Sequence, residues 1–97
     1  KVTGTTVDAS GSGSDWTFTG TITTNASLDI TARWRVNGSN VGSCDVYTGK
    51  VNGIVNMTPC NYTCPADVHG NMTATIYFSN PGAKQVTGTQ TDTFTCP

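Results

Sequence analysis

The sequence predicts an all-β fold: a single small β-sandwich or β-barrel of about seven strands, stapled by two disulfides. Three observations lead there. Apolar and polar residues alternate with a period of two over long stretches, as on a sheet with one dry face. No window of about ten residues carries the three- and four-residue apolar spacing of a helix. Four cysteines in 97 residues form an even set that can tie down a small core. That length makes residues 1–97 one domain.

The elements follow in order. Val2–Thr5, Phe18–Thr21 and Val86–Thr89 each read apolar–Thr–Gly–Thr. Their spacing is not constant, so they are strand grammar and not a solenoid repeat. Val7 falls out of phase with Val2, and a bulge at Gly4 accounts for the slip; Gly88 would serve the last copy in the same way. Gly11–Asp15 reads as a flexible loop, without the lysine and helix of a phosphate loop. In Asp15–Thr24, Trp16, Phe18, Gly20 and Ile22 point inward and the threonines between them outward. Gly20 leaves a gap in the dry face, and Trp34 is the ring expected to cover it. A hairpin at Thr24–Ser27 leads to Ser27–Val36, where Leu28, Ile30, Ala32, Trp34 and Val36 face in and Asp29, Thr31, Arg33 and Arg35 face out.

Asn37–Gly38 is the strongest turn signal and leads to an expected strand over Asn40–Tyr47. Lys50–Met57 reads as another strand, weakened by Gly53. Thr58–Gly70, with Pro59, Cys60, Cys64 and Pro65, reads as an irregular, disulfide-tied loop. Asn71–Ser79 is a strand with Met72, Ala74, Ile76 and Phe78 inward. Asn80–Gly82 is a turn, and Gln85–Thr95 closes the domain.

Charge excludes several classes of function. The net charge is −1, and Lys1, Arg33, Arg35, Lys50 and Lys84 lie scattered along the sequence. No basic patch for a phosphate backbone is visible, so nucleic acid is not an expected partner. No apolar run reaches the roughly 20 residues of a membrane helix, and membrane insertion is not expected. Glu is absent and Thr is the most abundant residue, a surface of extracellular type. No signal peptide is visible and the chain opens on Lys, which reads as a mature chain after removal of its targeting segment.

The cysteines are Cys44, Cys60, Cys64 and Cys96. Two disulfides and an oxidising compartment fit better than zinc, because Cys44 and Cys96 have no close thiol neighbour to complete a second ligand pair. Cys44–Cys60 with Cys64–Cys96 is the favoured pairing, and Cys44–Cys64 with Cys60–Cys96 stands almost level with it. Cys60–Cys64 would close too small a loop to constrain the unfolded chain much.

Little here carries chemistry. His69 is the single histidine, with Asp67 two residues before it. No nucleophile accompanies them, so His69 reads as a surface loop residue. The six Asp are scattered and form no calcium-loop or paired-carboxylate pattern. No metal or cofactor is expected. Tyr47, Tyr62 and Tyr77 are the candidates for stacking on a ligand or partner. Asn25, Asn37, Asn56, Asn61 and Asn71 each head an Asn-x-Ser/Thr triplet and are candidate N-glycosylation sites.

The mature length, the four cysteines, the close pair Cys60–Asn61–Tyr62–Thr63–Cys64 and the Thr/Gly/Asn-rich strands without helices resemble the small secreted cysteine-rich proteins of filamentous fungi, some of which act as effectors or elicitors on plants. The resemblance covers the whole chain as a type. It implies a β-sandwich or β-barrel without catalysis, in some members a dimer. The expected function is therefore that of a secreted, non-enzymatic binding protein of effector or elicitor type, acting by protein recognition. The alternative is a carbohydrate-binding or adhesion module built on exposed tyrosines. The expected partner is an extracellular protein or glycan, with homodimerisation through a sheet edge or face as a further expectation.

Overall fold

The computed structural model describes residues 1–79 and 90–97. Among them are nine strands: β1 (Val2–Ser12), β2 (Asp15–Thr24), β3 (Leu28–Val36), β4 (Ser39–Asn40), β5 (Tyr47–Val51), β6 (Ile54–Asn56), β7 (Cys60–Thr63), β8 (Gly70–Phe78) and β9 (Asp92–Cys96). They form two antiparallel sheets. Sheet A holds β1, β2, β6 and β7, with β6 and β7 successively along one edge of β2. Sheet B runs β4-β3-β8-β9, and β5 pairs with β3 as well.

The sheets form a sandwich, not a closed barrel. Where β1 approaches β9, side chains take the place of a ladder. The Ala9 amide donates to Asp92 Oδ2 at 2.8 Å, and the Gln90 amide donates to Thr5 Oγ1 at 3.2 Å. Asp92 thus satisfies an N–H that the edge of β1 would otherwise present to solvent or to another chain.

The long strands follow the alternation closely. In β3, Ile30, Ala32, Trp34 and Val36 are buried; in β8, Met72, Ala74, Ile76 and Phe78 are. Phe18 and Ile22 of β2 are fully buried opposite them. Trp34 crosses the core to Gly20, where a Cβ would lie 3.0 Å from the indole and only 2.3 Å from the Thr6 carbonyl oxygen. Its Nε1 donates to the Thr58 carbonyl at 3.0 Å, so the buried indole keeps a partner for its polar atom. At the other end Phe18, Phe94, Trp16 and Tyr62 interlock, with ring centroids 5.2 Å apart for Phe18–Phe94 and 5.6 Å for Phe18–Tyr62. Burying rings of this size supplies about 1.5–3 kcal/mol each.

The expected slip near the first Thr-Gly-Thr is present: the register of β1 against β2 shifts between Val2 and Gly4. The shift turns Thr5 and Val7 inward together. The companion expectation at Gly88 and the turn at Asn80–Gly82 lie outside the described residues.

Five expectations need correction. Thr24–Ser27 is not a hairpin, because it carries the chain from β2 in sheet A across to β3 in sheet B. Asn40–Tyr47 is not one strand: β4 ends at Asn40, and the chain loops to β5 with Cys44 on the way. Lys50–Met57 is likewise two pieces, because the chain changes sheet at Asn52–Gly53. Gly53 takes a φ of 99°, and Thr24 holds the crossing: its amide donates to the Gly53 carbonyl at 2.7 Å, and its hydroxyl accepts from the Gly53 amide at 3.1 Å. Thr58–Gly70 contains β7, paired with β2 over Asp15–Phe18. Finally, Gly11–Asp15 is the tight β1–β2 hairpin, with Gly11 and Ser12 already in the ladder. The Asn37–Gly38 turn is as expected, both residues at positive φ (50° and 82°).

The disulfides are Cys44–Cys60 and Cys64–Cys96, with sequence separations of 16 and 32. The first ties the β4–β5 loop to β7, and the second ties the end of β7 to β9. Each joins a segment attached to sheet B to sheet A. Two such crosslinks fit an oxidising environment.

Candidate recognition surface

The period-two alternation decides which side chains reach solvent. On the outer face of sheet B, β3 contributes Asp29, Thr31, Arg33 and Arg35, and β8 contributes Thr73, Thr75 and Tyr77. Antiparallel pairing sets Arg33 opposite Tyr77 and Arg35 opposite Thr75. Tyr77 is therefore a direct neighbour of one arginine and a diagonal neighbour of the other.

The Arg35 guanidinium lies over the Tyr77 ring, its Cζ 3.5 Å from the centroid. Its Nε donates to Asn40 Oδ1 at 2.7 Å. Ring and amide together hold the group flat on the sheet and leave its terminal N–H groups open. Arg33 differs. Its Nε is shielded from solvent and meets no hydrogen-bond acceptor. A shielded donor left without an acceptor costs about 1–3 kcal/mol. All six Asp of the chain lie among the described residues, and none forms an ion pair with either arginine. The one described ion pair on this face is Lys50–Asp29, at 3.5 Å.

The three candidate tyrosines are not brought together. Tyr77 is 36% exposed on the outer face of sheet B. Tyr47 pairs with Ala32 and faces inward, half-buried against the core. Tyr62 pairs with Trp16, also facing inward, and stacks on Phe18. Arg33 and Arg35 were missed as site residues because they read as scattered charge. Their shared parity with Tyr77 was visible, but the β3–β8 register that joins the three was not.

The remaining candidates are dispersed. His69 Nδ1 bonds to the main-chain oxygen of Pro97, and no described bond links it to Asp67. No group of three or more His, Cys, Asp or Glu side chains able to hold a metal occurs among the described residues. Of the sequon asparagines, Asn37 has both ends of its amide engaged: Oδ1 accepts from the Thr73 amide at 2.9 Å and Nδ2 points to Met72 Sδ at 3.0 Å. Asn25, Asn61 and Asn71 accept one hydrogen bond each through Oδ1, and Asn56 is exposed on β6.

The outer face of sheet A holds an open depression of about 430 Å³ where β6 and β7 part, lined by Thr6, Asp8, Thr19, Thr21, Asn56 and Pro59 among others. Several hydroxyls of this face are used within the sheet. Thr6 and Thr21 share a 2.7 Å hydrogen bond, Thr17 donates to Asn61 and Thr63 donates to Asp15.

No family model, curated protein or solved structure matches this chain. The chemistry of its surface is therefore the guide to what it does. An exposed phenol beside two guanidinium groups is suited to binding: it offers forked N–H donors, a flat apolar edge and one hydroxyl.

Proposed function

We propose that this chain is a secreted, non-enzymatic binding protein of effector or elicitor type, recognising a protein on a host or neighbouring organism through the outer face of sheet B. One observation carries the reading: Tyr77 stands exposed with Arg35 stacked on its ring and Arg33 directly opposite. Tyr and Arg are the residue types that most often anchor protein interfaces, and here they are already ordered before a partner arrives. The two crosslinks between the sheets fit a small domain that must last outside the cell.

The carbohydrate reading has less behind it. A sugar platform needs open ring faces, whereas Tyr47 and Tyr62 turn toward the core and Arg35 occupies one face of Tyr77.

The test is a plant-tissue response assay, such as an oxidative burst, comparing folded protein, reduced and alkylated protein, and Tyr77→Ala. The folded protein is expected to act, the reduced form to be inactive, and Tyr77→Ala to lose most of the response while melting at the same temperature. A full response from folded Tyr77→Ala overturns this reading.

A further inference from the structure

We infer that the partner group received by the outer face of sheet B is a carboxylate, presented by an acidic peptide segment, and that Arg33 and Arg35 are its receptors. The inference rests on the recognition reading above and adds the chemistry of what is recognised.

The chain carries six Asp against five Lys and Arg, so its cations do not lack for anions overall. Even so, the two arginines at the centre of sheet B have none. They sit two residues apart on one strand, with side chains on the same face. Like charges so placed repel each other, and Asp29, the carboxylate of the same strand face, lies beyond Thr31 and pairs with Lys50. A negative group from outside would offset the repulsion. The local complement of this face is anionic, although the protein as a whole is weakly acidic.

Geometry narrows the anion. Arg35 is fixed at Nε by Asn40 and on its flat side by Tyr77, so its outer N–H edge is a rigid fork. A planar carboxylate matches that fork with two parallel hydrogen bonds. Arg33, whose Nε is shielded from solvent, adds its positive charge beside that fork. The Tyr77 hydroxyl and ring edge then remain for the atoms beside the carboxylate. A peptide supplies such neighbours without needing a ring face. A uronate sugar would have to stack on a tyrosine that Arg35 already covers on one side, so the acidic peptide is favoured.

The test titrates a fluorescent oligoglutamate decapeptide into the folded protein, with an oligogalacturonate of similar charge and an oligolysine peptide as comparators. Oligoglutamate is expected to bind, to weaken as salt is raised from about 0.02 to about 0.5 M, and to lose about tenfold in affinity in the double variant Arg33→Gln/Arg35→Gln. Arg35→Lys, which keeps the charge and loses the fork, is expected to fall between. Thermal melts of every variant separate lost binding from lost folding, and Lys50→Gln, on the same face outside the cluster, should bind as the parent does. Equal affinity in the parent and the double variant overturns the inference. So does tighter binding of oligogalacturonate, which would make the occupant an acidic glycan. If Tyr77→Ala abolishes the tissue response while the arginine variants keep it, recognition stands and the carboxylate falls. If oligoglutamate binds through the arginines while Tyr77→Ala keeps the full response, the carboxylate stands and the effector reading falls.

Discussion

On the outer face of sheet A, hydroxyl meets hydroxyl, amide or carboxylate: Thr6 bonds Thr21, Thr17 bonds Asn61, and Thr63 bonds Asp15. On the outer face of sheet B, two guanidinium groups and a phenol stand together, while Asp29 on the same face pairs with Lys50. Both faces come from the same alternation and both are rich in threonine. They differ in whether their polar groups are satisfied within the molecule. A face that closes its own hydrogen bonds has little to gain from a partner. A face that holds open donors in fixed positions gains whenever an acceptor arrives.

Substitutions can break this contrast at different depths. The largest effect is expected beneath both faces. Trp34→Ala removes the ring that fills the space over Gly20 and breaks the bond to Thr58, and should cost about 3–5 kcal/mol in chemical denaturation, with both faces lost together. Gly20→Ala should act mainly on sheet A. The added methyl meets the Thr6 carbonyl at 2.3 Å, so β1 must move, and a loss of about 1–3 kcal/mol is expected. Amide exchange should then quicken at Thr6 and Thr21 before it does at Arg33 or Tyr77. Equal quickening on both sheets would mean that the faces are not independent.

The smallest effects sharpen the contrast most. Thr6→Val removes a hydroxyl that pairs with Thr21 Oγ1 and accepts from the Thr21 amide, and should cost about 0.5–1.5 kcal/mol without affecting oligoglutamate binding. Arg35→Gln loses the stacking on Tyr77 and the bond to Asn40, should cost about 1 kcal/mol, and should weaken binding. Reversal of these two results would put the binding chemistry on sheet A.

Much of this fold is legible in the amino-acid order. β2, β3 and β8 each alternate over nine residues or more, long enough for pattern alone to set both strand and face. The shorter strands are not legible, because β4, β6 and β7 span two to four residues and exist through the partners they pair with. The same limit governs the site. Parity alone places Arg33, Arg35 and Tyr77 outward, but only the β3–β8 register makes them neighbours. Tyr62 lies in a four-residue strand between two cysteines, too short for its inward direction to show. Tyr47 reads as the end of one strand and is the start of another, which reverses what surrounds it. Gly20 was readable, since a glycine in phase with Trp16, Phe18 and Ile22 implies a bulky neighbour, and Trp34 is there.

The measurement that bears most directly on the contrast is a nuclear magnetic resonance titration of labelled protein with oligoglutamate, read at both faces at once. The account predicts shifts concentrated at Arg33, Arg35, Thr75 and Tyr77, with Thr6, Thr19, Thr21 and Asn56 unmoved. Shifts centred on the threonines of sheet A, with the arginine side chains silent, would contradict it.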